Sequence, residues 1–417
     1  MTTYTLPSRG ASWAGIKGRL AELQSLDWSH RDGRLPLHCY YANDDVSQVA
    51  AEAYAMFAST NALAPVAFPS TRQMEQEVVA MALGLLHGPS GSAGCMTSGG
   101  TESIILAVKA ARDFAAATRP RKQPNIVLPR SVHPAFDKAA HLLGLTVRRT
   151  ALQPGYRCDV AALEAAMDED TILLVASAPS LPYGLVDPIA EVGQLALRTG
   201  TWLHVDSCIG GMLAPFVAKL GYPVPPFDFA VPGVRSMSAD LHKFGYSAKG
   251  ASLVLYRDEA DLDYQYCRFD AWPKGDYFTP TLAGTRSGGT IASAWAVMHF
   301  LGEEGYLATT ARLMRLRDHY IAGFRALGLE VLGPPDLAVV TVTAPQANIF
   351  SIADDMRERG WYMSLVAEPP AIQQTVNLVH EQVAERYFDD LAAAVQQGAA
   401  RAAAGIEAHD ARAVVTY

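Results

Sequence analysis

Two lysines, Lys243 and Lys249, lie in one short segment, SADLHKFGYSAKGASLVLY, which begins as a strand-like run. A lysine amine can form a Schiff base with an aldehyde, act as a base or bind an anion. Covalent chemistry of this kind requires one lysine, so the second is available to orient a charged group. The spacing of the two lysines does not decide which of them has which role.

An aspartate and a histidine follow two other strand-like runs. Asp206 ends the apolar run TWLHVD, and His133 lies between the run NIVLP and a helical segment. Because α/β proteins bind ligands at the carboxyl edge of the sheet, we expect both side chains there, together with Lys243. Taken singly, each residue has a commoner explanation as a helix cap, a turn residue or a surface charge.

The segment TSGGTESIILAVKAARDFA predicts an anion site at the start of a helix. Ser98, Gly99, Gly100 and Thr101 directly precede the helical run. Glycines allow a close approach of the backbone, and unpaired N–H groups at a helix start attract phosphate. An ordinary capped helix is the commoner alternative. The segment matches neither the P-loop sequence nor GxGxxG, so ATP or a dinucleotide is poorly supported.

Together these groups are the ones that pyridoxal phosphate requires. Its phosphate needs a helix start, its ring nitrogen an anion, its ring face a planar partner and its aldehyde a lysine. The chain between Asp206 and Lys243 is long enough for one crossover connection and the next strand. The four features therefore predict one cofactor site at a sheet edge.

The sequence pattern predicts an α/β protein that carries these residues on a mostly parallel sheet. Apolar β-rich runs alternate with helical runs over residues 71–300, which we expect to form a large domain after an N-terminal arm of residues 1–70. In residues 301–417 the strand-like runs LAVVTVTA and TVNLV flank a helical run. This second pattern predicts a small α+β domain.

Composition excludes several other classes of protein. With 417 residues, of which 50% are hydrophobic, the chain can form a large core. The formal charge of -8 is spread without a basic block, which argues against a nucleic-acid partner. Residues 1–10 lack a signal core, and no run approaches the ~20 apolar residues of a membrane span, so we expect a cytoplasmic protein. The cysteines, and the histidines including His380, lack zinc-site spacing, so no metal is expected.

Six segments resemble, in order along the chain, the sphingosine-1-phosphate lyase family of pyridoxal-phosphate enzymes. They are MTSGGTESIILAVKAARD, HPAFDKAAHLLG, SAPSLPYGLVDPIAEV, HVDSCIGG, SADLHKFGYSAKGASLVLY and GTRSGGTIASAWAVMHFLGEEGY. The similarity extends from about Tyr54 to Val379 and is shared with close decarboxylase relatives. It implies the aspartate aminotransferase-like fold type I, with pyridoxal 5'-phosphate as the cofactor.

Matched by position, the resemblance implies a role for each candidate catalytic residue. Lys243 is the Schiff-base lysine, Asp206 is the partner of the pyridine nitrogen, and His133 stacks on the ring. Lys249 matches a second family lysine near the polar head of the substrate. The resemblance thus assigns covalent chemistry to Lys243 and orientation or charge to Lys249.

The implied phosphate site combines the glycine turn with two other segments. Gly100, Thr101 and His242 match phosphate contacts, beside Ser98 and Gly99. A loop that in the family reaches the cofactor of the neighbouring subunit is matched by Gly284, Thr285 and Arg286. The resemblance therefore implies a homodimer with shared active sites, in which Arg286 is also an expected substrate contact.

The substrate head-group region departs from the family pattern. Family members carry Asn-Pro-Leu-His-Pro before a Phe-Pro turn, whereas this chain has NALAPVAFP, with Asn61 retained and Ala64 in place of the histidine. That histidine resembles a ligand of the substrate phosphate, so its replacement weakens the expectation of a phosphorylated sphingoid base. Asn61 and either Tyr40 or Tyr41 are the other expected head-group contacts.

The sequence leaves the reaction open among several alternatives. A lyase would cleave the Cα–Cβ bond of a phosphorylated long-chain amino alcohol by retro-aldol chemistry, giving an aldehyde and phosphoethanolamine, with Lys249, a tyrosine or a cofactor phosphate oxygen as the base. A decarboxylase would release carbon dioxide with almost the same residues. An aminotransferase is less well supported, because the strand-like runs of the small domain lack an arginine, and Arg357 and Arg359 lie in a predicted helix. The intact set of site residues argues against a non-catalytic binding protein.

Overall fold

A seven-stranded sheet positions the candidate residues. The structure is a computed structural model that describes residues 4–405. The strands are β1 (Ala93–Thr97), β2 (Asn125–Pro129), β3 (Thr146–Thr150), β4 (Thr171–Ser177), β5 (Trp202–Asp206), β6 (Ser236–Ala239) and β7 (Ser252–Tyr256). Their spatial order is β1-β7-β6-β5-β4-β2-β3. The pairs from β3 to β6 are parallel, whereas β7 is antiparallel to both β6 and β1. The predicted α/β fold with a mostly parallel sheet is confirmed.

Buried apolar runs form most of this sheet. Strands β2, β4, β5, β6 and β7 are buried along their whole length, as is typical of strands covered by helices on both faces. Successive residues face opposite layers, so Leu174 belongs to one apolar core and Leu173 to the other. The apolar pattern did not predict β1 or β3. Strand β3 lies at the sheet edge and contains Arg148 and Arg149, so its sequence lacks the apolar run by which a strand is recognised.

Helices cover the sheet and extend to both ends of the described chain. They are α1 (Trp13–Gln24), α2 (Asp44–Met56), α3 (Pro69–Leu85), α4 (Gly100–Thr118), α5 (Ala135–Leu143), α6 (Val160–Ala166), α7 (Ile189–Thr199), α8 (Ala214–Lys219), α9 (Glu259–Leu262), α10 (Gly288–Ala326), α11 (Ile349–Glu358) and α12 (Ala384–Ala403). Helix α1 has no buried residue, whereas α2 and α3 pack against α10. Within residues 4–405, no helix has the length and hydropathy needed to cross a membrane.

Helix α10 is interrupted close to an expected domain boundary. Gly302 has φ 55° and ψ -175°, and two helical segments meet at this residue. The boundary expected after residue 300 lies beside this interruption, and the boundary expected after residue 70 lies in the first turn of α3. Both boundaries stay predictions.

A second, antiparallel sheet follows in the C-terminal part of the chain. A short hairpin, β8 (Cys267–Phe269) and β9 (Tyr277–Thr279), precedes it. Its order is β10-β11-β13-β12, with β10 (Glu330–Val331), β11 (Val339–Thr343), β12 (Ser364–Val366) and β13 (Ala371–Thr375). Helix α11 packs against β13 and against α12. The predicted small α+β domain is confirmed.

The predicted strand TVNLV is wrong in position. Strand β13 ends at Thr375, where that run begins, and Asn377 caps a 3-10 helix over Leu378–Val383. Two buried glutamines in β13 give it a polar appearance. The amide of Gln373 donates to the carbonyl oxygen of Leu181, and the amide of Gln374 bonds to the His380 ring. These tertiary partners could not be read from the local pattern.

Candidate active site

The carboxyl edge of the large sheet faces a cavity of about 420 Å³. Most of the candidate residues lie in its wall. The predicted residues found there are Ser98, Gly99, Gly100, Thr101, His133, Asp206, His242, Lys243 and Lys249. They come from loops that follow different strands, as expected for a ligand site of an α/β protein. The sheet therefore gathers residues that are far apart in sequence.

Lys243 lies in the turn after β6, beside a buried carboxylate. Its Nζ is 3.0 Å from Oδ2 of Asp240. Burial disfavours a charged amine, but the Asp240 carboxylate, with smaller contributions from Tyr40, Cys208 and Asp206, outweighs burial, so the pKa of Lys243 is held well above its ordinary value. The amine is therefore an ammonium in this chain. Sequence reasoning missed Asp240, for which the available signal was an acid three residues before the candidate lysine.

Asp206 and His133 are each held by local hydrogen bonds at the cavity wall. Oδ1 of Asp206 accepts from the backbone N–H of Cys208 at 3.2 Å and from the Ser238 hydroxyl at 3.3 Å. Nδ1 of His133 accepts from the backbone N–H of Ala135 at 3.1 Å. Burial lowers the pKa of His133, although the nearby Asp206 carboxylate acts in the opposite direction. The site thus offers an oriented carboxylate and a neutral, flat imidazole.

The start of α4 requires a glycine at residue 100. A Cβ at Gly100 would lie 2.7 Å from Sγ of Cys208 and 3.0 Å from Oδ1 of Asp240. Glu102 secures the turn, because its carboxylate accepts from the backbone N–H groups of Ser98 and Leu282 at 2.7 Å and 3.0 Å. The first N–H groups of a helix have no partner within it, and here the first residues of α4 line the cavity. This geometry suits a phosphate.

The residues present fit pyridoxal phosphate. A glycine-walled helix start, a carboxylate, an imidazole and a lysine all line one cavity. These are the groups that its phosphate, ring nitrogen, ring face and aldehyde require. The close packing around Gly100, which leaves no room for a Cβ, and the types of the lining side chains both fit pyridoxal phosphate.

The second lysine lies beside Tyr40 and not beside Tyr41. Nζ of Lys249 donates to the carbonyl oxygen of His242 at 3.2 Å and lies 5.0 Å from the centre of the Tyr40 ring. The Tyr41 hydroxyl instead donates to Asp44 at 3.1 Å. Burial lowers the pKa of Lys249. The geometry thus favours Tyr40 over Tyr41 as the head-group candidate.

The loop of Gly284, Thr285 and Arg286, which was expected to face a neighbouring subunit, contacts residues of its own chain and lies outside the cavity around Lys243. Nδ2 of Asn61 donates to the Thr285 hydroxyl at 3.3 Å, and Gly284 lies near Leu63. Arg286 forms an ion pair with Glu75, in which its side chain is 13% exposed. Within residues 4–405, none of Asn61, Gly284, Thr285 and Arg286 lines the cavity around Lys243. Since Arg286 is paired in its own chain, this geometry gives its expected substrate contact no support.

A larger cavity, of about 800 Å³, adjoins the first. His133 and Leu181 line both. Its wall joins the two sheets and contains apolar side chains, among them Leu37, Val132, Met363, Leu365 and Val366. His38 and Arg357 also lie in this wall. Sequence reasoning did not predict this cavity, because it forms between segments from three distant parts of the chain.

Comparison with known proteins decides the family. Residues 28–330 match the family described as the pyridoxal-dependent decarboxylase conserved domain. Mouse sphingosine-1-phosphate lyase 1 is 38% identical over 397 residues, which is 94% of this chain and 70% of the mouse protein. The chain belongs to the sphingosine-1-phosphate lyase family. The structure of the Burkholderia pseudomallei sphingosine-1-phosphate lyase agrees, with 38% identity, a TM-score of 0.92 and coverage of 97% of this chain and 95% of that one.

Membership of the sphingosine-1-phosphate lyase family confirms several expectations. The chain is a pyridoxal-phosphate-dependent lyase of fold type I, as the resemblance implied. A decarboxylase is also a relative: the probable L-tyrosine/L-aspartate decarboxylase of Methanothrix thermoacetophila is 36% identical, over 89% of this chain and 92% of that protein. Relatives named for both of the reactions that the sequence left open are therefore similar to this chain.

Proposed function

We propose that this chain cleaves the Cα–Cβ bond of a phosphorylated long-chain amino alcohol, similar to sphingosine-1-phosphate, giving a long-chain aldehyde and phosphoethanolamine. The larger cavity is the observation that carries this proposal. It has a volume of about 800 Å³, has a largely apolar wall and opens beside His133. A small amino acid would leave most of this volume empty, whereas an alkyl chain would bury apolar surface there, at roughly 25 cal/mol per Å².

The residues around the cofactor site would hold the group that activates a bond at the substrate Cα. Pyridoxal phosphate, when bound, accepts the electrons of a bond at the substrate Cα. Lys243 would hold the cofactor covalently, Asp206 would keep its ring nitrogen protonated, and His133 would cover its ring face. The cofactor phosphate would be bound by the turn at Gly100 and by His242. Each assignment is supported by the position of the residue in the wall of one cavity.

The substrate head group would lie near Lys249 and Tyr40. Burial lowers the pKa of Lys249, which brings the amine closer to a state in which it can take a proton from the substrate hydroxyl. When protonated, the same amine would attract the substrate phosphate. Nζ is fixed by its bond to the His242 carbonyl oxygen and by its position over the Tyr40 ring.

The active site would be completed in a homodimer. Asn61 and Thr285 are bonded to each other and lie outside the wall of the cavity around Lys243, which supports a role for their loop toward a second subunit. Helix α1 also exposes an apolar stripe, Trp13, Ile16, Leu20 and Leu23, that a second subunit could cover. We place the dimer in the cytoplasm, with an arm over residues 1–70, a large domain over residues 71–300 and a small domain from residue 301.

Decarboxylation of an amino acid is the second candidate. Ala64 replaces a histidine that resembles a substrate phosphate ligand, and Arg357 of the small domain lines the larger cavity. An arginine there could bind a carboxylate, although its Nη1 already donates to Asp354 at 2.8 Å. Because Arg357 already has this partner, it is less available to bind a substrate carboxylate, and decarboxylation is the less well supported of the two functions.

Product analysis by mass spectrometry tests the two candidates. Purified holoenzyme is incubated with dihydrosphingosine-1-phosphate and, separately, with a panel of L-amino acids. Release of a long-chain aldehyde with phosphoethanolamine supports the proposed cleavage. Amines and carbon dioxide from the panel, with the lipid unchanged, would assign the chain to the decarboxylases.

A further inference from the structure

The carboxylate of Asp240 is buried against the candidate cofactor lysine. Its side chain is 3% exposed, and its Oδ2 lies 3.0 Å from Nζ of Lys243 and 3.8 Å from Nε2 of His242. A carboxylate is almost never buried in this way without a cation, because desolvation disfavours its charge. Lys243 is therefore its main charge partner.

The other oxygen of Asp240 lacks a hydrogen bond. Oδ1 is buried and meets no full hydrogen-bond geometry within residues 4–405, although the nearby Ser252 hydroxyl acts to lower the pKa of the Asp240 carboxyl. The neighbouring Ser252 hydroxyl is engaged with Ser103 at 2.9 Å and with the Ala239 carbonyl oxygen at 3.3 Å. A carboxylate held only to lend structure would normally have both oxygens bonded. The electrostatic interaction of Asp240 is thus concentrated on the cations beside Oδ2.

The charges around Asp240 support an ionised state. Burial is the largest single influence on Asp240 and acts to raise its pKa, but Lys243, His242 and the Ser252 hydroxyl together outweigh burial and lower that pKa. Tyr40, the Cys208 thiol and the Asp206 carboxylate also act on Lys243, each with a smaller effect than Asp240. Asp240 is in direct contact with Nζ, at 3.0 Å.

We propose that Asp240 is a positioning residue that stabilises Lys243 as an ammonium whenever the lysine is not bonded to the cofactor, and so promotes transfer of the cofactor from Lys243 to an incoming amine. The inference rests on the proposed role of Lys243. In this exchange a C–N bond forms between the cofactor aldehyde carbon and the incoming nitrogen, and the C–N bond to Nζ breaks. An ammonium enters and the Lys243 ammonium is released, so no net proton and no oxidant are needed.

The proposal predicts that an uncharged residue at position 240 will make the lysine harder to displace. Holoenzyme of the wild type and of Asp240→Asn is titrated with ethanolamine, while the visible absorbance of the bound cofactor is followed. Samples at each concentration are reduced with borohydride, and peptide mass spectrometry measures the fraction of cofactor on Lys243. Because a neighbouring charge of opposite sign shifts a pKa by about 1–3 units, we expect the ethanolamine midpoint to rise about tenfold or more in Asp240→Asn.

Asp263→Asn is the matched control. Asp263 is 64% exposed and pairs with Arg268 at the surface, so its replacement should leave the midpoint unchanged. Asp240→Ser provides a second uncharged variant in case Asp240→Asn folds poorly. Equal midpoints in the wild type and in a folded variant, with the cofactor on Lys243, would overturn the role of Asp240. Trapping of the cofactor on another lysine in the wild type would instead overturn the proposed role of Lys243.

An alternative explanation is that Asp240 acts through His242, which its Oδ2 approaches at 3.8 Å. If Asp240 acted only by orienting His242, its replacement would weaken cofactor binding without changing amine exchange. The dissociation constant of the cofactor, measured by dialysis for both variants, separates the two. A changed dissociation constant with an unchanged ethanolamine midpoint would refute the action on Lys243.

Discussion

Nζ of Lys249 donates a hydrogen bond to the carbonyl oxygen of His242, the residue directly before Lys243. The backbone beside the candidate cofactor lysine thereby fixes the second amine. The same Nζ also lies over the Tyr40 ring, 5.0 Å from its centre. The two lysines are therefore held by one short segment while they lie in different electrostatic surroundings, since burial lowers the pKa of Lys249 and Asp240 raises that of Lys243.

Replacement of the second lysine should separate cofactor binding from catalysis. In Lys249→Ala we expect the visible absorbance of the bound cofactor to persist, while kcat falls about 10²–10⁴-fold, the range typical of a lost acid–base group. Absorbance spectra and steady-state rates measure the two effects. Lys274→Ala, at an exposed position, is the control. Loss of the absorbance band in Lys249→Ala would reverse the roles of the two lysines.

Replacement of the first lysine should remove the covalent link. Lys243→Ala is expected to lose both the visible absorbance and turnover, because the amine that lies 3.0 Å from Asp240 in the cavity is removed. Borohydride reduction followed by intact-mass measurement checks the link directly. A variant that still gains the mass of the cofactor and still turns over would refute the assignment of Lys243.

A single methyl group at the helix start should weaken the phosphate cradle. In Gly100→Ala the added Cβ would meet Sγ of Cys208 at 2.7 Å, so the turn must shift. Hydrogen bonds to charged groups contribute about 1.5–3 kcal/mol, so we expect cofactor affinity to fall on the order of tenfold or more. Equilibrium dialysis measures this change. Gly155→Ala, where the new Cβ has open space, should bind the cofactor normally; an equal loss in both variants would show that the effect is not local.

A bulky residue in the larger cavity should change the preferred chain length. Leu365 lines this cavity, and Leu365→Trp would fill part of its volume. We expect kcat/KM for a long-chain amino alcohol phosphate to fall on the order of tenfold relative to a short-chain one, since hydrophobic pockets discriminate by volume. Leu142→Trp, at a position that is 61% exposed, is the control. An unchanged ratio would show that the alkyl chain lies elsewhere.

Buried His380 should make the fold sensitive to acid. Burial lowers the pKa of His380 to about 4, below the ordinary value of 6.5. The folded state thus binds this proton less readily than the unfolded state, and stability is lost as pH falls from 6.5 towards 4. Between about pH 7.5 and about pH 5.5 we expect His380 to account for about 1.4 kcal/mol of lost unfolding free energy.

Urea unfolding at the two pH values measures this loss. In His380→Gln the difference between them should shrink by that amount, whereas His141→Gln, at an exposed position, should leave it unchanged. The geometry supplies the reason: Nδ1 of His380 accepts from the backbone N–H of Asn377 at 2.9 Å, and Nε2 bonds to the Leu35 carbonyl oxygen at 3.0 Å. A proton on Nδ1 would face a donor. An unchanged pH difference in His380→Gln would show that another group controls acid stability.

The sequence predicted the site residues that directly follow buried apolar strands. Asp206 ends β5 and His133 follows β2, and the unbroken apolar runs of these strands made both the strands and their carboxyl ends visible. Asp240 escaped notice because its role depends on the fold of a turn rather than on periodicity. The choice between Tyr40 and Tyr41 also required the structure, since adjacent residues share a local pattern but point to different partners. The sequence pattern did not show β13, because Gln373 and Gln374 interrupt its apolar run. Their hydrogen-bond partners, Leu181 and His380, are set by the tertiary fold.

The antiparallel direction of β7 explains why this site has two amines. Strand β6 pairs with β7 from Ser236 opposite Tyr256 to Ala239 opposite Leu253, so one hairpin connection carries both lysines along a single edge. A parallel β7 would need a crossover of a dozen or more residues, which would return the chain at the opposite end of the sheet. The reversal of one strand thus keeps both lysines on a single connection at the carboxyl edge of the sheet, where both line the same cavity.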